Sequence, residues 1–504
     1  MLITFHIFVL TLITLLSLCV FLTKKWLLHI SNPSNNTKLP PSPPKLPILG
    51  NLHQLSPLTH RSLQSLGAKY GPLMMLHFGA RPVIIVQSAH AASEIMKAND
   101  LAFSDKPHTR TTRRLFYDTK DISVAPYGEY WRRLKSICVV HLLSWKRVQE
   151  FSSIREEETA ILMKKIETGC SSRLTSVDLS DLFTSLTNDV VCRAAFGRKY
   201  CEGEGKSREF LVMLREVLEL LGSLSVGEFI PCLKWINCLN GFDSRVEKVA
   251  SEVDGFLEMV VEEHLNSVRD ERRESFVDIL IDIYRDDENG VSIDRDSIKA
   301  VILDIFAGGT GTTSATLEWT MAELLRHPSA LQKLQKELRE LVKCEHVITS
   351  HDLEKMQYLK AVVRETLRLH PPIPLLAREA REDVKVMGYD VACGTMVLTN
   401  AWAIGRDPNS WDHPESFDPQ RFLNSVIDFK GLDYEFIPFG AGRRGCPGAA
   451  FAMASVELVL ANLVHKFDWE LPEGMKCGDL DMIEKPGVTI HRKNPLLGLA
   501  TKCN

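Results

Sequence analysis

One cysteine constrains this chain more than any other residue. Cys446 sits in the run FGAGRRGCPG, Phe439 to Gly448, near the C-terminus. After the aromatic, Gly442, Arg444, Cys446 and Gly448 fall at alternating positions. That spacing suits a tight loop presenting one thiolate to a flat metal cofactor. The glycines allow close backbone approach, and backbone N–H groups aimed at sulfur lower its pKa. The competing reading is a buried structural cysteine in a Gly-rich turn. The chain's 12 cysteines show no regular spacing and no C-x-x-C pair, so neither a disulfide framework nor a zinc site is indicated. Such a set fits a reducing compartment, where an unpaired thiolate persists.

If the cofactor is haem, a thiolate ligand pushes electron density onto iron and favours O–O cleavage, and Arg444 is placed to hydrogen-bond a propionate. The rest of the chain supplies matching pieces. Glu365-Thr366-Leu367-Arg368 reads as E-x-x-R within a helical stretch, Met356 to Leu369. The i, i+3 spacing puts acid and base on one face. Downstream, PESFDPQRF (Pro414 to Phe422) offers Arg421 in a Pro-bounded, loop-like segment. Alone, E-x-x-R is an ordinary surface ion pair. Ahead of the cysteine loop, Glu365, Arg368 and Arg421 resemble the buried Glu-Arg-Arg triad of the cytochromes P450. The resemblance extends from the first residues to about Lys493 and is closest to plant microsomal members, the large clan of specialised metabolism. It implies a mainly α fold with small β-sheets, the cytochrome P450 fold with haem buried between helices, plus one N-terminal transmembrane helix.

At 504 residues and 45% hydrophobic, the chain can bury a large core, and no linker divides it. The net charge of −4 argues against a strongly basic nucleic-acid surface. Three segments are expected. Residues 1–23 are almost wholly apolar and followed by Lys24 and Lys25, as in a signal anchor long enough to span a bilayer with the body on the cytosolic side. Residues 24–51 form a basic flank and a proline-rich hinge, PPSPPKLPILGN, which reads as a stiff extended spacer. Residues 52–504 form the catalytic domain. Within it, Leu73 to Val86 reads as a hairpin around Gly79 and Pro82, Ser152 to Asn266 as mostly helical, and Ser267 to Arg295 as loop-rich and exposed. Asn35-Asn36-Thr37 matches the glycosylation sequon, yet the expected orientation leaves it bare on the cytosolic side.

The resemblance also assigns roles. In LDIFAGGTGTTSATLEW (Leu303 to Trp319), a long helix passes over the haem, Gly308 and Gly309 leave room for dioxygen and disturb helical hydrogen bonding, and Thr312 matches the threonine that handles protons. The position before it, normally acidic, is Gly311. Trp131 and Lys135 match a W-x-x-x-R pattern that binds a haem propionate, with Lys135 a point charge in place of the bidentate arginine. Arg132, Arg133, Lys146 and Arg147 make a basic surface, either a solvated face or a docking site for an acidic partner. Arg378, Phe439, Arg444 and Gly448 complete the expected haem contacts, around Cys446 as axial ligand of haem b. Substrate-pocket candidates are the loop Arg110 to Val124, the roof Asp304 to Gly309, Ile373 and Leu375 of PPIPLLAREA, and Pro486 at a turn tip. The chain is one residue shorter than its relatives before Arg378. The implied activity is insertion of one oxygen atom from O2 into a mostly apolar plant metabolite (terpenoid, alkaloid or phenolic). Electrons would come from NADPH through a flavoprotein NADPH-cytochrome reductase at the endoplasmic reticulum membrane, with a cytochrome b-type donor as a second source. The alternatives are an O2-independent isomerase or dehydratase, which the glycine at 311 keeps open, and a haem-binding protein without turnover.

Overall fold

The computed structural model describes residues 37–169, 176–199, 206–223, 225–266, 275–286, 293–472 and 474–503, with Thr11, Ile13, Thr14 and Ser17. The expected anchor therefore lies almost entirely outside the described residues. The proline-rich segment is not a free spacer. Met75 donates to Pro41 O at 2.8 Å and Asn51 to His77 O at 2.7 Å. The Asn51 side chain returns the contact from the His77 N–H at 2.8 Å. Prolines cannot extend a ladder, so the buried Asn51 fastens the segment to the sheet edge, and the folded body includes it.

The expected hairpin is β1 (Leu73–Phe78) and β2 (Arg81–Val86), paired antiparallel from Leu73↔Val86 to Phe78↔Arg81. Helix α1 (Glu129–Ile137) follows, then α2 (Ser152–Gly169) and α3 (Leu179–Phe196). The long helical stretch ends in α4 (Phe242–Asn266).

Two expected loops are partly helical. Arg110–Leu115 is a helix because Thr109 and Thr112 form a reciprocal capping box. Within the segment read as loop-rich, α5 (Phe276–Arg285) forms for the same reason, with Ser275 and Asp278 as the box. Its Phe276, Val277, Ile279, Leu280 and Ile281 are buried, so packing fixes what surrounding charge had obscured.

The central element is α6 (Arg295–Arg326), 32 residues and so about 48 Å long. Asp294 caps it, accepting from Ser297 N–H at 2.8 Å, and Arg326 occupies its last turn. From Thr313 to Leu325 every residue is buried, as in a helix surrounded by others. The helix is continuous through Gly308 and Gly309. Beside it lie α7 (Gln357–Leu369) and then β3 (Leu375–Glu379) and β4 (Met396–Asn400), which complete a four-stranded sheet ordered β1-β2-β4-β3. Only the β2–β4 pairing is parallel. The cysteine loop leads into α8 (Ala449–Lys466), apolar enough to cross a membrane by length and composition. It is instead two-thirds buried in the core, 67% of its span. The chain closes with β5 (Phe467–Glu470), a hairpin of β6 (Glu484–Lys485) and β7 (His491–Arg492), and β8 (Leu497–Lys502) against β5. The body is mainly helical with small sheets, as expected.

Candidate active site

A cavity of about 450 Å³ lies between α6 and the cysteine loop. It is lined by Cys446, Phe439, Arg444 and Gly448 of the cysteine-loop region, by Asp304, Gly308, Gly309 and Thr312 of α6, and by Ile373, Leu375 and Arg378.

The cysteine loop is held from behind. Cys446 N–H donates to Phe439 O at 2.9 Å, closing a tight turn. Gly442 has φ +64°, and a Cβ there would stand 2.5 Å from both Asp100 Oδ1 and Met96 O. Only glycine fits. The Cys446 sulfur opens to the cavity but is deep within the protein. Burial pushes its thiol up, while the Gly448 and Ala449 N–H groups at the start of α8, and the Lys135 cation, oppose that shift. These are the devices that favour a thiolate once a cation binds.

Positive charge collects along one edge. Trp131 donates its indole N–H to Ile122 O at 2.9 Å, and the Arg444 guanidinium lies 4.2 Å over its ring. Arg444 donates to the carbonyls of Ser104, Ile122 and Ala125, and Lys135 to Gly445 O at 2.8 Å. Lys106 also lines the cavity, and burial, with repulsion from Arg378, Arg444 and Lys135, pushes its pKa down to about 7. Arg378 is neutralised by Asp100 at 2.8 Å. Arg444 and Lys135 point their donors at carbonyls, leaving a buried excess of positive charge. A group with two carboxylates would relieve it. That requirement, a soft sulfur ligand and a mostly apolar cavity of about 450 Å³ together fit haem. Lys106 and Asp100 escaped the sequence reading, since neither belongs to a local motif.

At the roof, Asp304 accepts from the N–H groups of Ile122 at 2.7 Å and Ser123 at 3.2 Å. Burial, then the neighbouring Asp121 charge, raises its pKa well above the usual carboxylate range. Of the expected loop wall, Ile122 and Ser123 are the lining residues. Thr312 donates its hydroxyl to Gly308 O at 2.5 Å, leaving the oxygen lone pairs to the cavity. Gly311 does not face the cavity: a Cβ there would meet Leu218, His491 and Thr489 at ordinary contact distance. Pro486 is exposed and is not a lining residue. The β6–β7 pairing instead turns Thr489 and His491 toward α6, which corrects its expected place in the pocket.

Glu365, Arg368 and Arg421 do come together. Glu365 takes Arg368 Nε at 2.7 Å and Nη2 at 2.8 Å, and Arg421 Nε at 3.0 Å. Both side chains of the Glu365–Arg368 pair are 0% exposed.

This arrangement defines a haem-thiolate protein of helical architecture. The cytochrome P450 family model matches residues 40–498. The chain is 58% identical over 480 residues to cytochrome P450 71A8 of Mentha piperita, covering 95% of this chain and 93% of that protein. It is 48% identical over 498 residues to norfluorocurarine oxidase of Strychnos sp, covering 97% and 96%. A zebrafish cytochrome P450 solved with progesterone superposes with a TM-score of 0.77 at 26% identity, over 88% of this chain and 99% of that one. The chain belongs to the cytochrome P450 family. Membership implies a haem held through a cysteine thiolate, a redox partner, a small-molecule substrate and oxidoreductase chemistry of the monooxygenase type.

Proposed function

We propose that the chain is a membrane-anchored monooxygenase. It inserts one oxygen atom from O2 into a mostly apolar plant specialised metabolite, with electrons from NADPH through a flavoprotein reductase at the endoplasmic reticulum. The observation that carries this reading is that Cys446 and Thr312 line one mostly apolar cavity. Bound haem supplies O2 activation there. Cys446 holds the iron, and the N–H groups of Gly448 and Ala449 stabilise its charge. Arg444, Lys135, Lys106 and Trp131 hold the propionates. Thr312 keeps a hydroxyl at the reacting face, where it orients water and passes protons. Gly308 and Gly309, without side chains, would leave room in the cavity beside the bound group. Ile305, Ile373, Leu375 and Val456 exclude water and place the substrate by apolar contact, while Asp304 offers the roof a polar anchor. The similarity to norfluorocurarine oxidase supports an oxidative reaction.

The test is the carbon-monoxide difference spectrum of reduced membranes carrying the chain, beside Cys446→Ala. A strongly red-shifted band, lost in the variant, is expected, followed by product formation that requires both NADPH and reductase. A folded protein without the band refutes the thiolate assignment. A band with turnover independent of NADPH would assign an isomerase or dehydratase instead.

A further inference from the structure

Two cysteines far apart in sequence meet outside the haem cavity. Cys344 Sγ and Cys503 Sγ lie 2.9 Å apart, although the residues are 159 positions apart in sequence. That is closer than ordinary non-bonded sulfurs approach and longer than the covalent bond of about 2.05 Å. The scaffold brings both there. The helix Pro328–Leu341 delivers Cys344, and its exit is fastened to the end of α8 by His465 Nε2 and Val342 O at 2.9 Å. Arg339 of the same helix donates to His465 O at 3.2 Å and pairs with Asp468 at 2.8 Å. From the other side, Lys502 pairs with Phe467 in the β8–β5 ladder, and Cys503 N–H donates to Lys466 O at 2.9 Å. Both segments are thus tied to one short stretch, His465 to Asp468. Both thiols are half-buried, so a small oxidant can reach them.

The geometry points to Cys344 and Cys503 as a reversible disulfide switch oxidised by a hydroperoxide. The hydrogen bond to Cys344, then burial, raises the Cys503 thiol, and Cys344 is assigned as the attacking sulfur. Its sulfur takes one peroxide oxygen as the O–O bond breaks, giving a sulfenic acid and one water. Cys503 sulfur then displaces the sulfenic oxygen, which leaves as a second water. Two thiols lose two electrons and two protons, and one hydrogen peroxide becomes two waters. The bond would close a covalent loop around Arg368, Arg421 and Cys446, tying the C-terminal strand to the helical body. In a reducing compartment such pairs are transient and redox-sensing.

The test is peptide mapping of the full chain in membranes after graded hydrogen peroxide, without reductant. A cross-linked peptide joining Cys344 and Cys503, two hydrogens lighter than its parts and reopened by dithiothreitol, is expected. It should form at lower peroxide than any oxidation of exposed Cys232 or Cys393. In Cys503→Ser, a sulfenic-acid probe should label Cys344 instead. The proposal is overturned if both thiols stay alkylatable while Cys232 and Cys393 oxidise, or if Cys344 goes to sulfinic acid in the unaltered chain with no cross-link. The mapping needs no variant, and it reads independently of haem and turnover.

Discussion

Replacing Arg368 by lysine keeps the charge and removes the geometry. Arg368 uses five N–H donors: Nε and Nη2 reach the two oxygens of Glu365 at 2.7 and 2.8 Å. Nη1 reaches Gly405 O at 2.6 Å and Pro414 O at 2.7 Å, and Nη2 also reaches Ser416 O at 3.0 Å. Lysine has three donors on one nitrogen, so at least two of these five contacts are lost, with Gly405 O and Pro414 O having no share in the Arg421 contacts that also reach Glu365 and Ser416. Each unsatisfied buried acceptor costs about 1–3 kcal/mol, and removing one partner of a buried ion pair, which leaves the other charge uncompensated, costs about 3–5 kcal/mol. Allowing for relaxation, Arg368→Lys should lose about 3–4 kcal/mol. Arg421 differs. It reaches Glu365 through one nitrogen at 3.0 Å and its carbonyl contacts are partly exposed, so Arg421→Lys should lose about 1 kcal/mol. Urea unfolding of the solubilised full chain, followed by tryptophan fluorescence, measures both. Equal losses in the two variants, or a loss under about 1 kcal/mol for Arg368→Lys, would refute the argument that the fork sets the strength.

Three further perturbations follow from the same contacts. Gly442→Ala places a methyl 2.5 Å from Asp100 Oδ1 and Met96 O at positive φ; it should lose about 2–4 kcal/mol, read as a lower urea midpoint and a reduced yield of haem-loaded protein, whereas Gly128→Ala, in open space, should not. Lys106→Met removes a buried cation held at about 7; if that cation meets a propionate, haem transfer to an acceptor apoprotein should speed up about tenfold, and an unchanged rate would place Lys106 outside the haem contacts. Glu323 would be raised by burial, but hydrogen bonds from His327 and His370 overcome this and hold it at about 2 against the usual 4.5. A lowered carboxyl stabilises above its unfolded pKa and loses that contribution as pH falls from 4.5 toward 2. Glu323→Gln should therefore cost about 3 kcal/mol near neutrality and flatten this part of the acid limb of a stability–pH curve; an unchanged limb would discount the pair of histidines.

What could be read before folding was whatever local spacing carries. The cysteine loop, E-x-x-R and the Trp131–Lys135 turn each lie within one element, and so did the hairpin at Leu73–Val86. Contacts between distant segments left no such trace. Asp100 is a single acid whose partners, Arg378 and Arg443, lie 278 and 343 positions away. Cys344 and Cys503 looked unpaired because their meeting depends on α8 and β5. The helix Phe276–Arg285 was hidden by flanking charge, although the Ser275–Asp278 capping box was visible in principle. Pro486 was placed by analogy with a turn tip, and the strand pairing after it turns different residues inward.

Placement of the one sulfur is over-determined by two buried carboxylates from opposite parts of the chain. Glu365 on α7 fixes Arg368, whose remaining donors seize Gly405, Pro414 and Ser416, the stretch leading toward the cysteine loop. Asp100 fixes the loop itself. It accepts from the Arg443 N–H at 3.2 Å and side chain at 2.7 Å and pairs with Arg378, which donates to Ala441 O at 2.6 Å. A charge buried without its partner costs several kcal/mol, so neither clamp can slip by a residue without leaving one exposed to that cost. Such clamps add little net stability compared with an apolar core of the same volume. Their contribution is position: a thiolate must sit within a few tenths of an ångström of its metal, and apolar packing alone tolerates larger shifts. The motif around Cys446 is therefore only half of the device, and the other half is carried by Asp100, a residue no motif marks.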